Sequence, residues 1–338
     1  MSRRALASSL ASRFKLVSLL ERVAMRPGLI VILYHRIARP EDCVYDRAVI
    51  EATPDVFDEQ MKMLRRRHSV VGPDELREIV ERPSSLRHLR VAITFDDGYR
   101  DNYSVAFPIL RSHGLSALFF LATQFVGSHE LTWWDRIAYA VRHTKRSQIT
   151  LELPVPVTVT IEPRDRERAI QTVLRAFKRG GQVDGPTFLA MLERVCEVTI
   201  PTQAEERQFL SWEEALEMQR GGMGIGSHTH SHRILASLGR DEQRSELETS
   251  RRHLLERGLT AADFIAYPVG GPDAFSETTK REAKAAGFRV AFSNYGGTNL
   301  RGRVDPLDVR RIGIGVTEDT AQLRFRLAAS ATAGRAVW

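Results

Sequence analysis

The chain has 338 residues, 43% hydrophobic and 27% charged, an ordinary globular balance that excludes disordered and fibrous classes. Its formal net charge is +7, but the basic residues are scattered among acids (Arg65 to Arg67, Arg251 and Arg252, Arg310 and Arg311), as on a solvated surface rather than a nucleic-acid stripe. Two cysteines, Cys43 and Cys196, lack metal-type spacing; they exclude a disulfide scaffold and make a reducing compartment the default.

The first fifteen residues hold Arg3, Arg4, Arg13 and Lys15 and no acid. The apolar residues that follow are too interrupted for a secretory signal, and Gly28 to Tyr34 is far shorter than the ~20 residues that span a bilayer. Residues 1–27 therefore read as a basic amphipathic segment, either in peripheral contact with a membrane or packed on the protein itself. The expected location is the cytoplasm.

Seven short apolar runs follow, bounded by Gly, Pro or polar residues: Leu29–Tyr34, Val91–Phe95, Ala117–Ala122, Gly224–Ser227, Phe264–Tyr267, Val290–Ser293 and Ile312–Val316. Their length and β-branched content predict buried strands. Helical patterns lie between most of them. Thr53 caps a helix starting at Pro54 with Phe57, Met61 and Leu64 on one face. Asn102–His113 ends at Gly114. Ser211 and Glu214 form a capping box, and Asp241–Arg257, Ser276–Ala286 and Thr317–Ala329 complete the set. Alternation of this kind implies an α/β fold of parallel strands with right-handed crossovers. About seven strands suggest a closed (β/α)7-type barrel over residues 28–330, with residues 331–338 as a tail; an open doubly wound sheet is the alternative. Residues from about 127 to 209 follow the third strand and are too many for a loop. They carry Trp133-Trp134-Asp135, a strand-like run at Thr150–Ile161 and helical patterns at Arg164–Lys178 and Thr187–Cys196. This stretch reads as an inserted subdomain over the barrel mouth.

Two motifs carry chemistry. Thr94-Phe95-Asp96-Asp97-Gly98 ends the second strand, and two adjacent carboxylates there repel unless a cation or an arginine lies close; a plain Asp-Gly turn is the alternative. Ser227-His228-Thr229-His230-Ser231-His232 ends the fourth. Two imidazoles at H-x-x-x-H spacing beside a carboxylate form a common donor set for a divalent ion, Zn2+ by default.

Together and in this order, TFDDG and H-[ST]-x-x-H resemble the polysaccharide deacetylase superfamily, also called carbohydrate esterase family four. The resemblance runs from about residue 29 to 316 and implies a distorted (β/α) barrel. By it Asp97, His228 and His232 match metal ligands, Asp96 matches the catalytic base, and Thr229 matches the residue after the first histidine. Ala266-Tyr267-Pro268-Val269-Gly270 resembles the family's third motif, with the Val269 amide as oxyanion donor and Tyr267 beside the substrate. The arginine that usually steadies the base is replaced by Ala266; Arg311 can substitute if the barrel brings it near, and is otherwise a surface residue. The late Leu-x-His that carries the family's general acid is missing. Tyr34-His35 instead resembles the early Tyr-His of poly-N-acetylglucosamine deacetylases, which makes His35 the permuted acid, the alternative being a buried structural histidine. Trp133 and Trp134 read equally as a sugar-stacking surface or as core. The implied function is metal-dependent removal of N-acetyl, or O-acetyl, groups from a sugar, oligosaccharide or glycolipid. The rivals are a hydrolase of other non-peptide C–N bonds and a noncatalytic, metal-bearing carbohydrate-binding protein. A D-x-D-G phosphatase fits poorly, because Asp96 and Asp97 are adjacent.

Overall fold

Each of the seven apolar runs forms a strand in the computed structural model, which describes residues 26–153, 156–179, 185–315 and 318–333. The basic segment expected before residue 26 lies outside the described residues, as does most of the expected tail. The strands are β1 (Gly28–Tyr34), β2 (Leu89–Phe95), β3 (Leu118–Leu121), β4 (Gly224–Ser227), β5 (Phe264–Ala266), β6 (Val290–Ser293) and β7 (Val309–Gly313). Each pairs in parallel with the next, and β1 pairs in parallel with both β2 and β7, so the sheet closes into a seven-stranded barrel. A short strand, Asn299–Leu300, adds to β1 antiparallel. Strand β7 starts three residues earlier than the apolar pattern suggests.

Alternation along the strands separates two cores. Leu29, Val31, Ala92, Phe120, Phe264 and Phe292 pack in one cluster. Their neighbours Ile30, Ile32, Val91 and Ile93 pack in a second, against the surrounding helices. Tight filling of the first cluster explains Gly226: a Cβ there would lie 2.9 Å from the Phe120 ring and from the Phe264 carbonyl oxygen.

Helix α1 (Pro54–Arg67) starts as expected, with Thr53 accepting from the Val56 amide, and buries Phe57, Met61 and Leu64. Helix α2 (Pro73–Glu81) adds Leu76, Ile79 and Val80 to the cluster containing Leu29 and Phe120. Its Arg77 bonds both oxygens of Asp263, just before β5, at 2.8 and 3.0 Å. The Asn102–His113 pattern splits into a π turn over Asn102–Ala106 and helix α3 (Phe107–Ser112). Pro108 lacks the N–H that would bond Ser104, which favours this irregular register.

Residues between β3 and β4 hold helix α4 (Trp133–His143), an antiparallel pair Gln148–Leu151 with Val157–Thr160, and helices α5 (Arg166–Arg179) and α6 (Gly185–Cys196). These elements share their own hydrophobic cluster, including Ile137, Leu151, Ile170, Leu174, Phe188 and Leu192. The single strand-like run expected at Thr150–Ile161 is thus two strands, because Pro156 cannot donate to a ladder. Helix α7 (Trp212–Arg220), with the expected Ser211–Glu214 capping box, leads into β4, and helices α8 (Arg240–Glu256), α9 (Glu277–Ala285) and α10 (Thr320–Ala333) follow β4, β5 and β7. Among the described residues no helix is long and apolar enough to cross a membrane.

Candidate active site

The chemistry-bearing residues gather where strands end. Asp96 and Asp97 follow β2, His228 follows β4, the Pro268–Gly270 loop follows β5, and His35 follows β1. In a parallel barrel these carboxyl ends share one face.

Asp97, His228 and His232 form a buried group. The two Nε2 atoms are 3.2 Å apart, and Asp97 Oδ1 stands 3.4 and 3.3 Å from them. Donors ~2.0–2.1 Å from a tetrahedral ion lie about 3.3–3.4 Å from one another, so this triangle matches three corners of such a site. Asp97 Oδ1 is buried without a hydrogen-bond donor, as a group awaiting a cation would be. His228 Nδ1 lies 2.8 Å from the Ala266 carbonyl oxygen, which holds the proton on Nδ1 and leaves Nε2 a free lone pair. Burial, outweighing the pull of Asp96, pushes the His228 imidazole down to about 4. Burial alone would raise the Asp97 carboxyl, but the imidazoles of His232, His35 and His228 around it hold it below the usual carboxylate range.

The backbone here is held in an uncommon shape. Among the described residues five non-glycine residues have positive φ, and four of them are Asp97, Thr229, His232 and Val269 (φ 70, 64, 57 and 64°). Such conformations persist only where neighbours over-determine them, and they concentrate at functional sites. The histidine loop shows how. Thr229 Oγ1 accepts from the His232 amide, and Ser227 Oγ accepts from the Thr229 amide. Glu246 of α8 takes the His230 and Ser231 amides at 3.0 and 2.8 Å, and the Ser231 hydroxyl as well. Thr229 is therefore a loop brace, with its side chain buried. His230 turns away, its Nδ1 3.0 Å from Thr123 Oγ1 and its ring edge-on to His253.

Asp96 sits beside this triangle, its Oδ2 3.7 Å from His228 Nε2. Arg311, fully buried on β7, donates to both Asp96 oxygens at 2.6 and 2.7 Å. Its guanidinium lies near the Phe120 and Phe292 rings and donates again to the Ser293 carbonyl. Burial would raise the Asp96 carboxyl, but Arg311, followed by His228, holds it below its ordinary value, so it is an anion at neutral pH.

His35 has a partner that the sequence reading did not name. Its Nδ1 donates to Glu51 Oε1 at 2.7 Å, and its amide to Glu51 Oε2 at 2.8 Å. Asn102 fixes the same residue through its carbonyl at 2.7 Å. Burial pushes the imidazole down, yet Glu51, with Asp97 and Asp96, outweighs that and raises it to about 9.

Val269 is half-buried in a loop closed by Gly270 N–H to the Pro268 carbonyl, 2.7 Å; among the described residues no backbone acceptor takes its own amide. Tyr267 corrects an expectation. Its ring stacks on Phe275, its hydroxyl donates to the Leu307 carbonyl at 3.1 Å, and it is buried in packing rather than turned toward a substrate. Trp134 is likewise buried: Nε1–H donates to the Tyr99 hydroxyl at 2.6 Å, and the ring lies 4.4 Å from that of His232. Trp133 is half-buried and lines a cavity that His232 also lines.

The chain is similar to known proteins in sequence and in fold. A family model described as polysaccharide deacetylase matches residues 84–291. The chain is 20% identical over 272 residues to YxkH of Bacillus subtilis (strain 168), whose name places it with the polysaccharide deacetylases; the match spans 80% of this chain and 66% of YxkH. The fold is similar to that of Streptococcus pyogenes deacetylase PplD (17% identity, 89% of this chain and 97% of that one, TM-score 0.56). It is similar also to IcaB from Ammonifex degensii (19% identity, 91% and 98%, TM-score 0.56). A third similar fold is that of a de-N-acetylase from Aggregatibacter actinomycetemcomitans (16% identity, 88% and 98%, TM-score 0.55).

Proposed function

The chain belongs to the polysaccharide deacetylase family, and on that footing we propose that it is a metal-dependent deacetylase that hydrolyses N-acetyl groups on a sugar, oligosaccharide or glycolipid. The observation that carries this reading is the pairing of two buried groups: the Asp97–His228–His232 triangle, with edges of 3.2 to 3.4 Å, and an Asp96 carboxylate gripped by Arg311 beside it. A binding protein needs the first group only; hydrolysis needs both.

A divalent ion on Asp97, His228 and His232, Zn2+ by the near-tetrahedral edge lengths, would polarise the acetyl carbonyl and lower the pKa of the attacking water toward ~7. Asp96 takes the proton of that water. Arg311 keeps Asp96 ionised while each of its oxygens retains a second lone pair. The Val269 amide donates to the oxygen that becomes negative. His35, protonated through Glu51, gives its proton to the departing sugar nitrogen, a step that an amide requires because an amine anion does not leave. Acetate and a free amino sugar result.

The test is acetate release from a panel of acetylated mono- and oligosaccharides, with chelator and after readdition of Zn2+. The expected result is release that chelation abolishes and Zn2+ restores. Release that chelator leaves untouched would contradict the metal assignment, and no release from any acetylated sugar would contradict the substrate class.

A further inference from the structure

Beside the ligand triangle lies a cavity of about 540 Å³, walled by α4, α5, α6 and the chain following His232. That volume falls within the ~300–1,000 Å³ of small-molecule sites. Much of its lining is apolar: Phe125, Phe177, Leu189, Ile234 and Leu238, with Trp133. Most of its polar lining groups are already partnered inside the protein. Gln124 donates to both Glu130 oxygens at 2.9 and 3.0 Å. Arg233 pairs with Glu242 at 3.0 Å, the Ser231 hydroxyl with Glu246, and the Ser237 hydroxyl with the Ile234 carbonyl.

Two lining residues leave a nitrogen unmatched, and both nitrogens are donors when His232 presents Nε2 to a metal. Arg136 is half-buried, and its Nε is buried without an acceptor. His232 Nδ1 is buried without a partner too. Arg136 stands one helical turn from Trp133, so the two share a face of α4. Lys178 adds a second cation nearby, its Nζ 5.9 Å over the Trp133 ring.

A half-desolvated guanidinium without a carboxylate is costly, and its forked donors suit an oxyanion. We propose that the cavity is a subsite for a phosphate ester bearing an apolar group, so that the substrate is an acetamido sugar carried on an alkyl phosphate. Arg136 holds the phosphate and the apolar walls hold the alkyl chain. The inference rests on the deacetylase reading above and narrows its substrate class.

The test compares three compounds: N-acetylglucosamine 1-(octyl phosphate), N-acetylglucosamine 1-phosphate and neutral octyl N-acetylglucosaminide. The expected kcat/KM for the octyl phosphate diester exceeds each of the others by about tenfold or more, the usual worth of a charged hydrogen bond or of a buried alkyl chain. Arg136→Gln is expected to bring the diester down to the neutral glycoside through KM, with Arg136→Lys recovering part. Equal rates on the diester and the neutral glycoside overturn the phosphate contact. Equal rates on the diester and the free sugar phosphate overturn the apolar half. An equal loss on all three compounds in Arg136→Gln makes Arg136 structural. Calorimetric binding of octyl phosphate to the wild-type protein needs no turnover. If none of the compounds releases acetate, the deacetylase reading fails, while the calorimetry still decides the subsite; absence of heat with octyl phosphate overturns it.

Discussion

Replacing Arg311 by methionine removes the partner of a fully buried carboxylate while preserving much of the side chain's bulk. Asp96 loses two charged hydrogen bonds of 2.6 and 2.7 Å, and burial, the one influence that raises its pKa, is left opposed by more distant positive groups. Breaking a buried pair from one side costs about 3–5 kcal/mol. At ~2 °C per kcal/mol for a chain of this size, the melting temperature is expected to fall by roughly 6–10 °C. The sign of the pH dependence also changes. In the wild type the lowered Asp96 pKa stabilises the fold above the unfolded carboxylate value, and that contribution disappears as pH falls through the folded value. In Arg311→Met the folded pKa lies above the unfolded one, so this site favours folding less as pH rises above about 4. The same shift moves the acidic limb of kcat/KM to higher pH, because burial then acts on the carboxyl without its guanidinium partner. Arg311→Lys keeps the charge without the fork and is expected to fall between the two. Acetate release from pH 4 to 10, with melting curves at each pH, measures both effects. An unchanged acidic limb with an unchanged melting temperature would refute the claim that Arg311 keeps Asp96 ionised.

Asp96→Asn is expected to abolish turnover and retain metal, because the amide is nearly isosteric yet cannot accept the proton; loss of metal together with activity would make Asp96 a ligand. Glu51→Gln removes the main support of the protonated His35, so the alkaline limb of kcat/KM should move to lower pH by about one unit or more. In metal-free protein the stability difference between wild type and Glu51→Gln should be full below pH 6.5 for as long as Glu51, whose carboxyl burial pushes up, stays ionised, and vanish as pH rises through about 9, the window set by the His35 shift; a difference independent of pH would show that Glu51 acts by packing alone. Trp133→Ala should raise KM more than it lowers kcat, since Trp133 lines the cavity beside His232 and touches no reacting group. Unchanged kinetics with a lower melting temperature would place Trp133 in the core.

The strand order and the grouping of Asp97, His228 and His232 were legible because each rests on short local patterns. Strands buried on two faces read as short apolar runs, and each of the motifs Asp96-Asp97 and His228-x-x-x-His232 spans five residues or fewer. Less local features were hidden. At the start of β7, Arg311 reads either as the partner of the base or as surface, and only barrel closure decides that it is buried against Asp96 while Arg310 is exposed. Glu51 stands sixteen residues from His35, and its one trace is an acid between Ile50 and Ala52, an apolar setting that calls for a partner. Glu246 braces the histidine loop from a helix whose charged sequence reads as exposed. Tyr267 was placed at the substrate because it lies within a motif; strand alternation turns its ring outward into the cluster with Phe275 and Phe288. Helix α4 has a legible cap in Thr132, but a tryptophan pair reads equally as sugar-stacking surface or as core, which leaves the helical periodicity around it unmarked.

Catalysis is expected to require one ion at Asp97, His228 and His232. Titrating metal-free protein with Zn2+ while recording acetate release tests this directly. The rate is expected to rise linearly and to level off at one ion per chain, with His228→Ala flat throughout. Full activity before any ion is added, or equal activation of His228→Ala, would contradict it.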